Sequence, residues 1–352
     1  MKICLNMIVK NEAEVIQRCL ASVMKFIDYW VICDTGSTDG TQQLILEQLQ
    51  HIPGELHERP WVNFAHNRNE VLSLSKDKGD YILLMDADEW LDYPSSFSLP
   101  RLTKDVYGII YRSGGIDFQR GFLLNNRIPW VWVGAIHEEP QAPIKTSAGF
   151  IPGIVSICTQ EGHRSQDPEK IQKDLRTLQQ ALAQEPNHPR YVFYLAEAHL
   201  LLDQKAEALQ RYEQRVALGS PAQEVFWSLY QIAQLQQQLN YPSDIFLRSY
   251  CTAFQYRPSR IEPLFFLINH YLAIQCPYLA YLIAKEAVAI PLPSDAHYVQ
   301  PWMYEWGVPL QFVKSAYAIG RTHEAKKACK RLLSTPSLPE QYRPDILTVF
   351  HS

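Results

Sequence analysis

The sequence predicts two domains of different class: an α/β domain with a mostly parallel sheet over residues 1–165, and an all-α helical repeat domain over residues 166–352. Two observations carry the division. Twelve of the 15 glycines lie at or before Gly162, and only Gly219, Gly307 and Gly320 follow. Glycine marks the turns between short elements, and its absence from element interiors favours helix. Strand-like apolar runs alternate with helical ones in the first half, whereas helical periodicity alone runs through the second. With 352 residues, 47% of them apolar and 20% charged, the chain is long enough to bury two cores.

The elements follow in order. Ile3 to Val9 is a compact apolar strand. Asn11, with Glu14 three residues on, has the spacing of a capping box, and Val15, Cys19, Val23 and Ile27 then recur at helical spacing. Trp30 to Asp34 reads as a second strand, ending in the turn Thr35-Gly36-Ser37-Thr38-Asp39-Gly40, with a helix from about Thr41 to Leu49. Phe64 to Leu74 reads as a third helix, and Tyr81-Ile82-Leu83-Leu84-Met85 as a buried strand that runs into Asp86. Ligands of such sheets gather at the carboxyl ends of the strands, where Asn11, Asp34 and Asp86 fall. After the polar stretch Arg164-Ser165-Gln166-Asp167-Pro168 come helical pairs. Leu195-Ala196 precede Ala208 and Tyr212 at the small and aromatic positions of a tetratricopeptide unit. Ala280-x3-Ala284 and Ala325-x3-Cys329 repeat the spacing, and each is followed by a proline, Pro291 and Pro336. Arrays of this kind offer a surface to a partner.

Composition excludes several classes. Thirty-three Lys+Arg against 37 Asp+Glu give a net charge of −4, so no bulk field recruits nucleic acid or an acidic membrane. No apolar run reaches the length of a membrane span, and the first residues read as a strand rather than a signal peptide. Seven scattered cysteines without a CxxC point to reduced thiols and a cytoplasmic protein.

The sharpest chemical signal is Asp86-Ala87-Asp88 at the end of a buried strand. Two carboxylates leaving a strand together suit a hard divalent cation beside a diphosphate; an acidic turn has the same composition. Asp34 ends the second strand too early to cap the helix that Ser37 or Asp39 would cap, and its carboxylate suits a nucleobase imide. Trp130 and Trp132 alternate with Val131 and Val133 as in a strand, for core packing or the floor of a sugar site. Trp302, Tyr304 and Trp306 form an aromatic cluster that packs between repeats or lines an acceptor groove, and His199 and His270 read as structural.

Met7-Ile8-Val9-Lys10-Asn11-Glu12, then Asp34-Thr35-Gly36-Ser37-Thr38-Asp39-Gly40-Thr41, then Arg68-Asn69 before Asp80-Tyr81-Ile82-Leu83-Leu84-Met85-Asp86-Ala87-Asp88-Glu89, with Gly134-Ala135-Ile136-His137-Glu138 beyond, resembles glycosyltransferase family 2. The ordered motifs span roughly the first half of the chain, and their combination is far more specific than any one of them. The resemblance implies a GT-A fold and mostly inverting sugar transfer. With the helical array it looks like the branch in which this domain carries tetratricopeptide repeats, a plan shared by peptide S-glycosyltransferases.

Carried over by position, the resemblance places Asn11, Glu12, Asp34, Asp39, Arg68 and Ala87 around the nucleotide sugar, a UDP-sugar by preference, with Asp86 near the ribose and the metal. Asp88, Asp86 and His163 become ligands of Mn²⁺ or Mg²⁺, although Arg164 beside His163 opposes a bound cation. Glu138 becomes the general base, oriented by His137, with Glu139 as the alternative. Lys170 and Lys173 are candidates to neutralise the leaving group, or a solvated helix face. The acceptor implied is a peptide or protein held by the repeats, and a homodimer is the commonest assembly. Two other readings share these elements: a repeat adaptor with a vestigial catalytic half, and a nucleotidyltransferase. The second needs a glycine-rich basic loop after the first strand, where this chain has Lys10-Asn11-Glu12-Ala13-Glu14.

Overall fold

A computed structural model describes residues 1–114, 116–295 and 298–351. The chain divides into two compact units, Met1–Pro186 and Asn187–Ser352. The first contains β1 (Ile3–Val9), α1 (Ile16–Val23), β2 (Tyr29–Asp34), α2 (Thr41–Gln48), β3 (Gly54–Glu58), α3 (Phe64–Leu74), β4 (Tyr81–Leu84), β5 (Glu89–Asp92), β6 (Val106–Ser113), β7 (Ile116–Asn125), β8 (Val131–Val133), β9 (Glu139–Gln141), β10 (Ala148–Cys158) and α4 (Lys170–Gln184).

Eight strands form one sheet in the order β3-β2-β1-β4-β7-β6-β10-β5. The expectation of a mostly parallel sheet holds narrowly: four of the seven neighbouring pairs are parallel, β10 with β6 among them. β3, β2, β1 and β4 are mutually parallel, each crossover being made by a helix, whereas β4 with β7, β7 with β6 and β10 with β5 are antiparallel. β6 and β7 are consecutive in the chain and pair antiparallel, whereas β6 and β10, which are parallel, are separated by the strands from β7 to β9. β8 and β9 pair in a separate ribbon.

The period of two along the strands sorts the core. Leu5, Met7, Ile32 and Leu83 pack with Ile16 and Leu20 of α1 on one face. Cys4, Val31, Cys33 and Ile82 pack with Val71 of α3, Trp130 and Trp132 on the other. Both tryptophans are thus packing residues, while Val131 and Val133 turn outward. The expected capping box does not form. Asn11 takes a left-handed backbone (φ +54°), and its side chain accepts from Thr38 N at 2.8 Å instead of capping α1. The helix begins after Val15, with Glu12 O accepting from Val15 N and Ile16 N.

On β3, the edge strand, Glu55 accepts hydrogen bonds from Lys78, Tyr29 (2.7 Å) and His57 (3.0 Å), which hold its carboxyl down at about 2 from the ordinary 4.5. A depressed carboxyl stabilises the fold above its unfolded value and loses that contribution as pH falls through the folded one. The thermal midpoint of the wild type is therefore expected to exceed that of Glu55→Gln by a constant margin above pH 4.5, the margin closing toward pH 2. A margin that stays constant down to pH 2 would exclude this account.

The second unit is helical. Hairpins α5 (Pro189–Leu201) with α6 (Lys205–Ala217), α7 (Ala222–Gln238) with α8 (Ser243–Tyr256), α9 (Glu262–Ala273) with α10 (Pro277–Ala287), and α11 (Val308–Ala318) with α12 (Thr322–Leu333) are followed by α13 (Arg343–His351). Ala196, Ala208, Ala280, Ala284, Ala325 and Cys329 are all fully buried, so the repeated small positions are where the helices approach closely. Trp302 packs on Phe265 and Trp306, and a side chain on Gly307 would collide with it, so this aromatic cluster is packing. His199 Nδ1 donates to Gln204 Oε1 at 2.6 Å, and His270 meets Phe246 edge-on, which leaves both structural. All seven cysteines are free thiols, and no helix among the described residues is long and apolar enough to cross a membrane.

Candidate active site

The carboxyl ends of β1, β2 and β4 carry the predicted residues, and the loops that bear them are tied together by short side chains. Asn11 N donates to Ser37 Oγ (2.8 Å), Glu12 N to Thr41 Oγ1 (2.8 Å) and Ala13 N to Asp39 Oδ2 (3.0 Å). Asp39 Oδ1 accepts from Thr41 N and its hydroxyl, so both oxygens of Asp39 are engaged in holding the turn. Burial raises the Asp39 carboxyl, but these donors outweigh it and keep it below the usual range. Asn11 and Asp39 thereby fix the backbone that faces any ligand.

Asp34, only 1% exposed, sits inside this clamp. Its Oδ1 accepts from Gly36 N, Ser37 N (both 2.9 Å) and Gln42 Nε2 (3.0 Å). Its Oδ2 is buried and has no partner among the described residues. A buried carboxylate oxygen without a donor carries its full desolvation penalty, so this atom is an acceptor waiting for an N–H.

Beyond β4, Asp86 and Asp88 take different surroundings. Asp86 accepts from Arg68 Nη2 at 2.7 Å and from Arg120 Nη1 at 3.3 Å. Burial alone would raise its carboxyl; the two guanidinium groups outweigh it and hold it well below the carboxylate range. Arg68 also donates through Nε to Glu138 Oε1 at 2.5 Å and lies over the Trp132 ring at 4.9 Å. Arg120 is gripped by Glu89 through two bonds of 2.6 and 2.5 Å, and Glu89 accepts a third from Ser156 Oγ. Burial pushes the Glu89 carboxyl up to about 7 against the pull of Arg120. Between the two aspartates, the Ala87 side chain turns into the core.

Asp88 has no arginine partner among the described residues. Burial and the neighbouring Asp86 raise its carboxyl, and the Cys158 thiol contacts its Oδ2 at 3.7 Å. Across from it, burial pushes Glu12 up to about 7, with Asp88, Asp39 and Asp86 adding to the rise. The backbone of Gly162 closes over both. A Cβ there would lie 3.2 Å from Asp88 Oδ2 and 3.1 Å from Glu12 Oε2, so glycine leaves open a cradle on which two carboxylates converge. His163 N donates to Glu12 Oε2 at 3.2 Å, which makes the backbone of His163 part of the same wall. No three of His, Cys, Asp and Glu stand together at ligand spacing among the described residues. Glu12 and Asp88 offer hard oxygens only, the donor type of a cation such as Mg²⁺ that takes most of its ligands from water and phosphate.

Glu138 lies at the end of a tight turn in which Gly134 has φ +130° and its Cα hydrogen faces Glu138 Cα; a Cβ would sit 3.1 Å from that atom. His137 beside it is left-handed (φ +52°). Lys173 is paired with Asp167 (2.7 Å) and Glu169 (3.7 Å), whereas the charge of Lys170 acts on Asp88. Arg164 pairs with Asp174 and covers the Phe64 ring at 4.4 Å. Sequence reasoning missed Arg120 and the role of Glu89. Their signal was an arginine set between Phe118 and Phe122, a charge among aromatic neighbours that calls for a partner.

Residues 4–98 match glycosyl transferase family 2. The first unit carries a domain of that family. A TPR repeat-containing protein of Synechococcus elongatus is 38% identical over 91 residues, covering 26% of this chain and 21% of that protein. The SPbeta prophage-derived glycosyltransferase SunS of Bacillus subtilis is 22% identical over 227 residues, covering 58% of this chain and 50% of SunS. The chain thus spans about a fifth of the first relative and half of the second. Among solved structures, MamA is 13% identical with a TM-score of 0.38, covering 47% of this chain and 88% of MamA. A thermophilic TPR protein of Thermus thermophilus is 15% identical with a TM-score of 0.35, covering 52% of this chain and 92% of that one. The family commonly uses divalent metals, in keeping with the oxygen-rich cradle of Glu12 and Asp88.

Proposed function

We propose that the chain is an inverting glycosyltransferase that moves a sugar from a nucleotide sugar, UDP-linked by preference, to a peptide or protein acceptor presented by the helical array. The buried, unpartnered Asp34 Oδ2 within the family segment carries the reading. Uracil N3 and guanine N1 each bear the hydrogen that this oxygen lacks, whereas cytosine N3 is an acceptor and would face it with like polarity. The likeness to the glycosyltransferase SunS supports a sugar transferase.

The residues divide the work. Asn11 and Asp39 hold the loops that line the nucleotide. Arg68 and Arg120 supply fixed positive charge beside the diphosphate as the leaving group gains negative charge. Glu12 and Asp88 would hold Mn²⁺ or Mg²⁺, which when bound supplies further neutralisation of the diphosphate. Glu138, oriented by Arg68, removes the proton from the attacking acceptor group.

Thermal unfolding with UDP, GDP and CDP, with and without Mn²⁺, tests the donor site. A ligand at 100 times its Kd stabilises the folded state by about 2.7 kcal/mol. UDP is expected to raise the midpoint of the wild type, CDP to raise it less, and Asp34→Ala to abolish the difference. No shift with any nucleotide would return the chain to the adaptor reading.

A further inference from the structure

The two oxygens of Asp34 are treated unequally. Oδ2 is buried without a partner among the described residues, whereas Oδ1 accepts from Gly36 N and Ser37 N at 2.9 Å and from Gln42 Nε2 at 3.0 Å. A carboxylate oxygen offers two lone pairs, so three donors leave Oδ1 with nothing for a ligand. Two of the three are backbone groups of the turn, and only the third depends on the identity of a side chain. Gln42 is the second residue of α2 and half-buried. Helical side chains lean toward the N-terminus of their helix, which brings its amide back to the turn that Asp34 anchors. Because a carboxylate only accepts, the amide must turn its nitrogen toward Asp34. The second hydrogen of that nitrogen has no acceptor among the described residues.

Nucleobases divide on this arrangement. The uracil imide has one N–H with a carbonyl on either side, so whichever flank falls toward Oδ1 brings an acceptor to the donors gathered there. Guanine has a carbonyl on one side of N1–H and an amino group on the other. Its strong pairing with a carboxylate spends N1–H and an amino hydrogen on two oxygens at once, and here the second oxygen is taken. The amino group would meet the Gln42 amide donor against donor, and a donor left without an acceptor carries its desolvation cost. We propose that Gln42 sets the base specificity of the nucleotide site: by filling Oδ1 it leaves Asp34 one open oxygen, enough for uracil and one too few for guanine. Gln42 acts through Asp34 and is a positioning residue. This role rests on the reading of Asp34 as the carboxylate that binds the base, which UDP binding by the wild type tests on its own.

Calorimetric titration of the full chain with UDP, GDP and inosine diphosphate in the presence of Mn²⁺ makes the test, inosine diphosphate being GDP without the amino group. The wild type is expected to bind UDP most tightly and to hold GDP no more tightly than inosine diphosphate, since the amino group finds no acceptor. Gln42→Ala opens Oδ1 to that group. The variant is expected to bind GDP about tenfold more tightly than inosine diphosphate, the contribution of one hydrogen bond to a charged acceptor, with UDP weakened by no more than about threefold. A merely structural glutamine would weaken all three nucleotides alike and leave the ratio of GDP to inosine diphosphate where it was. That ratio unmoved in Gln42→Ala overturns the proposal, as does a wild type that already prefers GDP to inosine diphosphate by about tenfold. Should Gln42→Ala fail to fold, Gln42→Ser must raise the same ratio, and no rise overturns the role of Gln42. A wild type that binds none of the three nucleotides overturns the reading of Asp34 along with it, whereas UDP binding with an unmoved ratio removes Gln42 alone.

Discussion

Glu138→Gln is expected to lower the rate of sugar transfer to a hydroxyl acceptor by about 100-fold or more while leaving UDP binding within about twofold of wild type. The substitution keeps the shape of the side chain and an oxygen to accept from Arg68 Nε, so the loop from Gly134 has no cause to move. Arg68 keeps its second partner, Asp86, at 2.7 Å, and the donor side of the site retains its geometry. What is lost is a group able to take a proton. Glu139 provides the control. It lies on β9, paired in register with Val133, and Gln141 Nε2 donates to it at 3.3 Å, on the ribbon rather than against Arg68. Glu139→Gln is expected to transfer at nearly the wild-type rate. Initial rates at saturating UDP-sugar, with UDP affinity from calorimetry, separate the two effects. Full transfer by Glu138→Gln would place the base elsewhere.

How much of this was legible in the sequence depended on whether a residue's partners are near it along the chain. β1, β2 and β4 were readable because each is a short apolar run ending at a polar turn, and the helices between them carry their own periodicity. β6 and β7 were not read. Their apolar residues are diluted by Arg112, Asp117, Gln119 and Arg120; Arg112 meets Asp117 across the hairpin at 2.7 Å, and Arg120 meets Glu89 of β5. The Asn11–Glu14 spacing misled because the partner that wins Asn11 is Thr38, 27 residues away, and no local pattern reports it. In the site, Asp34, Asp86 and Asp88 were visible as carboxylates at strand ends. The division of labour between Asp86 and Asp88 was not, since it is set by two arginines arriving from α3 and β7.

That division gives the second large effect. Asp88→Ala is expected to remove the Mn²⁺-dependent part of UDP binding and to lower transfer by about 1000-fold, while the thermal midpoint without ligand stays at or slightly above that of the wild type. The sign follows from its surroundings. Burial and Asp86 raise the Asp88 carboxyl above its ordinary range, so its ionised form is disfavoured in the fold, and a group shifted in that direction costs stability as pH rises through its folded value. Deleting it relieves Glu12 of a like charge as well. Asp86, two residues earlier in the same motif, responds in the opposite sense. Its carboxyl is depressed by Arg68 and Arg120, and Asp86→Ala leaves the first guanidinium, 14% exposed, with Glu138 alone and the second with Glu89 alone. Asp86→Ala is therefore expected to lower the midpoint even without ligand, with the loss absent at a pH low enough to protonate Asp86 in both states. Unfolding of both variants near neutral pH, with and without UDP and Mn²⁺, decides the point. If Asp88→Ala destabilises the free protein as much as Asp86→Ala does, the second carboxylate is a structural residue and the cradle beneath Gly162 does not hold a cation.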